Sequence, residues 1–207
     1  MNNVDLIKKC IINKDWRDLG FRKALIQLRF EEITFENALF LSDNYFNIKG
    51  DADRTADRSL LLHALVLQCL QYDMRDFFAQ VYKKERLFNM KVVAIRGLSH
   101  YLIESEIVPL VDHLIKLLNN PSKSNILYIE CEMIKSEFGL PYLINKYGYQ
   151  CFKNAMNAVD LLYEKMPDEL KGFFTLDSYG IQIQLLSADE RNKRFKTFLS
   201  CAEEMKL

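Results

Sequence analysis

The chain has 207 residues, with 28 basic and 28 acidic side chains and a formal net charge of zero. That length suits one domain or one short repeat array, and the balanced charge excludes a polycationic nucleic-acid carrier or a polyanionic mimic. Apolar residues make up 49%, which rules out a disordered chain, and seven Gly with four Pro are too few for an all-β fold built on tight turns.

In chain order, apolar residues at Val4, Ile7, Cys10 and Ile11 repeat at helical spacing and predict a helix over 4–13. A second is expected over 15–29, with Trp16, Ala24, Leu25 and Leu28 inward and Gly20 weakening it by roughly 1 kcal/mol. Thr34 reads as an N-cap for a third helix that carries Phe35, Ala38, Leu39 and Ser42 and ends near Phe46. Residues 47–57 form the best loop candidate, and Asp57 or Ser59 would cap a helix over 60–71. That helix is apolar on most sides, through Leu61, Leu62, Ala64, Leu65 and Val66, and is expected at the centre of the core.

Residues 74–84 are amphipathic through Phe77, Phe78 and Val81. Residues 90–103 follow, with Ala94 and Gly97 small enough for close helix approach. Residues 106–118 carry Ile107, Leu110, Val111, Leu114 and Leu118 on one face, with Pro109 expected in the first turn. After Asn119-Asn120-Pro121 a further helix is expected over 123–138. Helices over 140–147 and 149–166 break at Gly148. Pro167-Asp168-Glu169 opens a short turn, Ile181, Ile183 and Leu185 alternate as an extended piece would, and Ser187-x-x-Glu190 is a capping box for a last helix.

The expected inner helices begin near 58, 89 and 123, and the outer ones near 36, 74 and 106, so two helices recur with a period of about 30–40 residues. This predicts an all-α fold, one domain over 1–207 in which stacked antiparallel hairpins form a short α–α superhelix. The repeat-like core would span about 57–139, with a less regular cap over 140–207. From Ile107-Val108-Pro109-Leu110 to Leu117-Leu118-Asn119-Asn120-Pro121 the chain resembles a HEAT repeat, whose first helix carries an early Pro, an Ile/Leu ladder and an Asx-Pro turn. The Val-Arg that opens that family's second helix is replaced here by Ile126-Leu127, whereas Asn89-Met90-Lys91-Val92-Val93-Ala94 matches the second helix better. The resemblance implies a scaffold and no particular reaction.

Cys10, Cys69, Cys131, Cys151 and Cys201 show no CxxC spacing, which favours reduced thiols in a cytoplasmic protein. The opening Met-Asn-Asn-Val-Asp lacks the apolar region of a secretory signal, and no apolar run is long enough to span a bilayer. No membrane association, cofactor or metal is expected. Three His residues at 63, 100 and 113 lack metal-ligand spacing, and His63 reads as a core or boundary histidine. His100 and Glu104 read as a surface i, i+4 pair. No nucleophile–base arrangement assembles locally, so no catalytic residue is assigned.

The sharpest candidate site is Asp51, Asp53, Arg54, Asp57 and Arg58. Such a cluster can hold a cation, meet an Arg-rich partner or simply cap a helix. It is not an EF-hand loop, because the twelfth position from Asp51 is Leu62. It is taken as a partner-binding set on a non-catalytic, protein-binding module, such as a specific inhibitor or an immunity protein that blocks a toxin domain. The alternative is a nucleic-acid-binding protein resembling the helical-repeat DNA glycosylases. Lys83, Lys84, Arg86, Lys91 and Arg96, interleaved with Phe77, Tyr82 and Phe88, would supply its groove, with Arg191, Lys193, Arg194 and Lys196 as a second basic run.

Overall fold

The computed structural model describes residues 2–50, 52–68, 71–118, 139–164, 174–176 and 183–185. Several expectations therefore lie outside the described residues. They are Asp51, Cys69, Cys131, Cys201, the helix over 123–138, the turn at Pro167, the capping box at Ser187 and the basic run from Arg191 to Lys196. The chain is all-α in class and divides into two compact units, 1–101 and 102–207.

The first unit holds α1 (Asn3–Asn13), α2 (Leu19–Leu28), α3 (Phe35–Asn44), a 3-10 turn (Tyr45–Asn47), α4 (Ala52–Leu67), α5 (Arg75–Lys84) and α6 (Phe88–Leu98). Asn2 caps α1 by accepting from the Asp5 N–H at 2.7 Å, and Val4, Ile7, Cys10 and Ile11 are buried as their spacing requires. The helix stops at Lys14, which takes the left-handed conformation at φ 54° and donates its N–H to Ile11. Thr34 caps α3 through the Asn37 N–H, as expected.

Helix α2 starts later than its periodicity suggests. Asp18 accepts the Gly20 N–H at 2.7 Å and fixes the start at Leu19. Gly20 thus sits in the first turn, where a Cβ would lie 2.8 Å from Leu6 Cδ2. It admits α1 rather than weakening the middle of α2.

Helix α4 is the centre of this unit, packed against α2, α3 and α6, with Leu61, Leu62, Ala64 and Leu65 fully buried. It starts at Ala52, not near Leu60. The expected loop therefore ends before Asp53, and Asp53, Arg54, Asp57 and Arg58 all stand on helix. The reason is electrostatic. Asp53 lies in the first turn, where a negative charge is favoured, and Arg54 reaches Asp57 one turn on at 2.8 Å. Helices α5 and α6 pack as a hairpin, and Gly97 makes the close approach possible: a Cβ there would stand 2.6 Å from the Phe78 ring.

In the second unit α7 (Glu104–Leu118) packs against α9 (Tyr149–Glu164), which also packs against α8 (Leu140–Tyr147). Helix α7 opens two residues before the expected start. Glu106 reaches back to accept the Ile103 N–H at 3.1 Å, one arm of a capping box. Pro109 therefore falls in the second turn, inside the helix. His100 and Glu104 do not share a helix, since α6 ends at Leu98 and α7 begins at Glu104. Gly148, at φ 95°, separates α8 from α9 as expected. Two three-residue strands, β1 (Phe174–Leu176) and β2 (Ile183–Leu185), pair antiparallel with Phe174 opposite Leu185, which matches the alternation seen at Ile183 and Leu185.

Candidate functional site

The charged cluster on α4 is tied into its own unit. Arg22 of α2 donates Nε to Asp57 Oδ1 at 2.8 Å and Nη2 to Asp53 Oδ1 at 3.0 Å. Arg54 Nη1 stands 2.8 Å from Asp57 Oδ2, an ion contact without hydrogen-bond geometry, and donates to the Trp16 carbonyl at 2.8 Å. The Asp57 side chain is completely buried, while that of Asp53 is 64% exposed. The hydrogen bonds it donates to Asp57 and Asp53 hold the Arg22 guanidinium above its ordinary pKa.

One turn further, Arg58 donates Nε to Glu85 Oε1 at 2.9 Å and Nη1 to the Ile48 carbonyl at 2.8 Å. Both side chains are shielded, at 16% and 6% exposure. Burial alone would lower the Arg58 pKa, but the hydrogen bond and charge of Glu85 override it and raise it. The phenol of Tyr45, fully buried beside Glu85 and Arg58, is pushed well above the usual tyrosine range, first by desolvation and then by the Glu85 charge. Of the expected partner-binding residues, the structure joins Asp53 to Asp57 through Arg22, sets Arg54 directly against Asp57, and ties Arg58 instead to Glu85. These bonds clamp α2 to α4, and α4 to the end of α5. Arg22 and Glu85 escaped the sequence reading. Glu85, a single acid within Lys83-Lys84-Glu85-Arg86, was the available signal.

The basic residues around α5 are partly engaged in the same way. Lys84 donates to Gln80 at 2.9 Å and lies over the Phe46 ring, 4.9 Å from its centroid. Lys91 donates to the Tyr82 carbonyl and lies over the Tyr82 ring, and burial lowers its pKa. His63 sits half-buried on α4, and desolvation, then Arg96 and Arg29, lower its pKa. Cys10 is a buried thiol whose pKa is raised by burial. Among the described residues, no three or more His, Cys, Asp or Glu gather in a way that could hold a metal ion, and no helix is long and apolar enough to cross a membrane.

A feature with room for a ligand lies elsewhere in this unit, between α3 and the start of α5. It is an open groove of about 440 Å³, within the usual range for ligand pockets. Buried Ala38, Met74 and Phe77 supply its apolar base. Phe35 and Leu39, four residues apart on α3, line it while remaining 53% and 49% exposed. Helix α3 uses Ala38, Leu41 and the following Tyr45 for the core, so Phe35 and Leu39 form a second apolar ridge on another face. The Phe35 ring leans on Tyr72, with centroids 5.4 Å apart, and Tyr72 is held by its hydroxyl donating to the Ile33 carbonyl at 2.7 Å. Asp43, Asp73 and Asp76 line the groove with a single Arg75 among them. The Asp73 carboxylate accepts the Arg75 N–H at 3.1 Å, which fixes the corner where α5 begins. The spacing of Phe35, Ala38 and Leu39 marked an apolar helix without separating the inward residue from the two that face outward.

No protein-family model, no curated protein and no solved structure matches the chain.

Proposed function

We propose that this chain is a non-catalytic, protein-binding helical module, built as a degenerate HEAT-like stack of hairpins, that takes a segment of a partner protein into the groove between α3 and α5. The observation that carries this reading is the pair Phe35 and Leu39, two large apolar side chains left about half exposed at i, i+4 on one wall of a 440 Å³ groove. An amphipathic segment docks by laying its apolar face into a hydrophobic groove, and exposed apolar side chains on the groove wall give that face something to cover. Full burial of two such side chains is worth about 1.5–3 kcal/mol each, so covering their exposed halves supplies a useful fraction of a binding energy.

The charge clusters support the same reading by what they already do. Asp57, Arg54, Arg58 and Glu85 bond to one another or to neighbouring groups within their own unit, which leaves the groove as the better docking surface. Among the described members of the original set, Asp53 has the most exposed side chain, at 64%. Stoichiometric inhibition of a toxin by a small immunity protein is one role that such a groove would serve.

The test is a pull-down with the full chain as bait, from native lysate and from cells co-expressing its genomic neighbours. Wild type should retain a stoichiometric protein that the Phe35→Ala/Leu39→Ala variant loses and the Ile12→Ala variant keeps. Ile12 is 66% exposed on α1 and serves as a control for general stickiness. Equal retention by wild type and the double variant would overturn the reading.

A further inference from the structure

The groove also carries information about the chemistry of its occupant. We infer that the α3–α5 groove selects a cationic segment, one that places an aliphatic or aromatic side chain against Phe35, Leu39 and Tyr72 and a Lys or Arg beside Asp43 and Asp76. This rests on the docking role proposed above and adds the sign of the partner's charge.

Charge complementarity carries the inference. Three carboxylates line the groove against one guanidinium, and Asp43 and Asp76 come from different helices, so their field converges on the space between them. Asp43 is exposed in the last turn of α3, and Asp76 is exposed in the first turn of α5. Asp73 has one oxygen committed to the Arg75 N–H and contributes its charge from the corner of the groove. The aromatic lining favours the same sign. Phe35 and Tyr72 present a tilted pair of rings at 5.4 Å, and ring faces attract ammonium and guanidinium groups. The molecule already uses this contact at the groove, where Lys84, itself outside the lining, lies over the lining residue Phe46. An anionic segment would meet the three carboxylates without a matching set of cations.

The experiment uses three small probes of one shape on the full chain, followed by backbone amide shifts in a ¹H–¹⁵N spectrum. Phenethylammonium carries the aryl group and the cation, 2-phenylethanol the aryl group alone, and 3-phenylpropanoate the aryl group with an anion. Phenethylammonium should perturb the amides of Phe35, Leu39, Asp43 and Gln80 at the lowest concentration. The Asp43→Asn/Asp76→Asn variant should weaken that binding about five-fold, as expected for two exposed ion pairs. Raising the salt concentration should weaken it as well. If 2-phenylethanol binds in the groove as well as phenethylammonium, or if the double variant leaves the affinity unchanged, the charge inference is wrong while the docking role stands. If 3-phenylpropanoate binds best, the sign of the partner's charge is reversed. If phenethylammonium perturbs only residues outside the groove, the inference is likewise overturned. The docking role is judged separately, by the pull-down.

Discussion

Replacing Arg58 with Ala tests whether the α4 cluster is a structural clamp. In the folded chain Arg58 gives Glu85 two hydrogen bonds, at 2.9 and 3.4 Å, and gives the Ile48 carbonyl a third at 2.8 Å. Glu85 is only 6% exposed, so the variant leaves a carboxylate with little water and no guanidinium. Breaking a buried pair from one side costs about 3–5 kcal/mol. Lys91, whose pKa feels the Glu85 charge, offers part of the lost compensation and places the expected cost near the lower end, about 3 kcal/mol. Urea unfolding followed by fluorescence of Trp16, the single tryptophan, reads the first unit directly. With an m-value of roughly 2 kcal/mol/M, the midpoint should fall by about 1.5 M. The Arg58→Met/Glu85→Leu double variant should recover most of the loss, because it removes both charges together. A loss below about 1 kcal/mol for Arg58→Ala would place this pair among ordinary surface ion pairs and refute the clamp.

Three further outcomes follow from the same geometry. Gly97→Ala should destabilise the chain by about 1–3 kcal/mol in urea unfolding, because the new methyl meets a fully buried Phe78 ring at 2.6 Å. Lys14→Gly should stabilise it by about 0.5–1 kcal/mol, since relief of the left-handed conformation at φ 54° exceeds the added entropy of an unfolded glycine. His63 has a folded pKa below its ordinary 6.5, so the unfolded chain binds the proton more readily. Stability should therefore fall as pH drops from 6.5 toward the folded value and level off below it. The difference between wild type and His63→Gln across that window isolates this component.

The helical class, the Thr34 cap, the break at Gly148 and the central position of the Leu61–Val66 stretch were legible in the sequence because each follows from local spacing or one residue's conformational preference. The starts of α2, α4 and α7 were not. Each is fixed by a side chain that reaches a backbone group or a neighbouring turn: Asp18 to Gly20, Arg54 to Asp57, and Glu106 to Ile103. The partners of the charged cluster were hidden for a related reason. Arg22 and Asp57 are 35 residues apart, and Arg58 and Glu85 are 27 apart, so only the packing of α2, α4 and α5 brings them together. The groove was harder still to read. Phe35 and Leu39 carry the same apolar signal as Ala38, and only the direction of the α3 core face tells them apart.

The docking role of that groove is tested most directly by site-specific photo-cross-linking in the native cell. A benzophenone side chain replaces Leu39, with the same group at Ile12 as the control, since both residues are exposed on the same unit. The account predicts one discrete protein adduct from position 39 and none from position 12, and predicts that Phe35→Ala weakens the adduct. Adducts of equal yield from both positions, or none from position 39 while a partner still co-purifies with the chain, would contradict it.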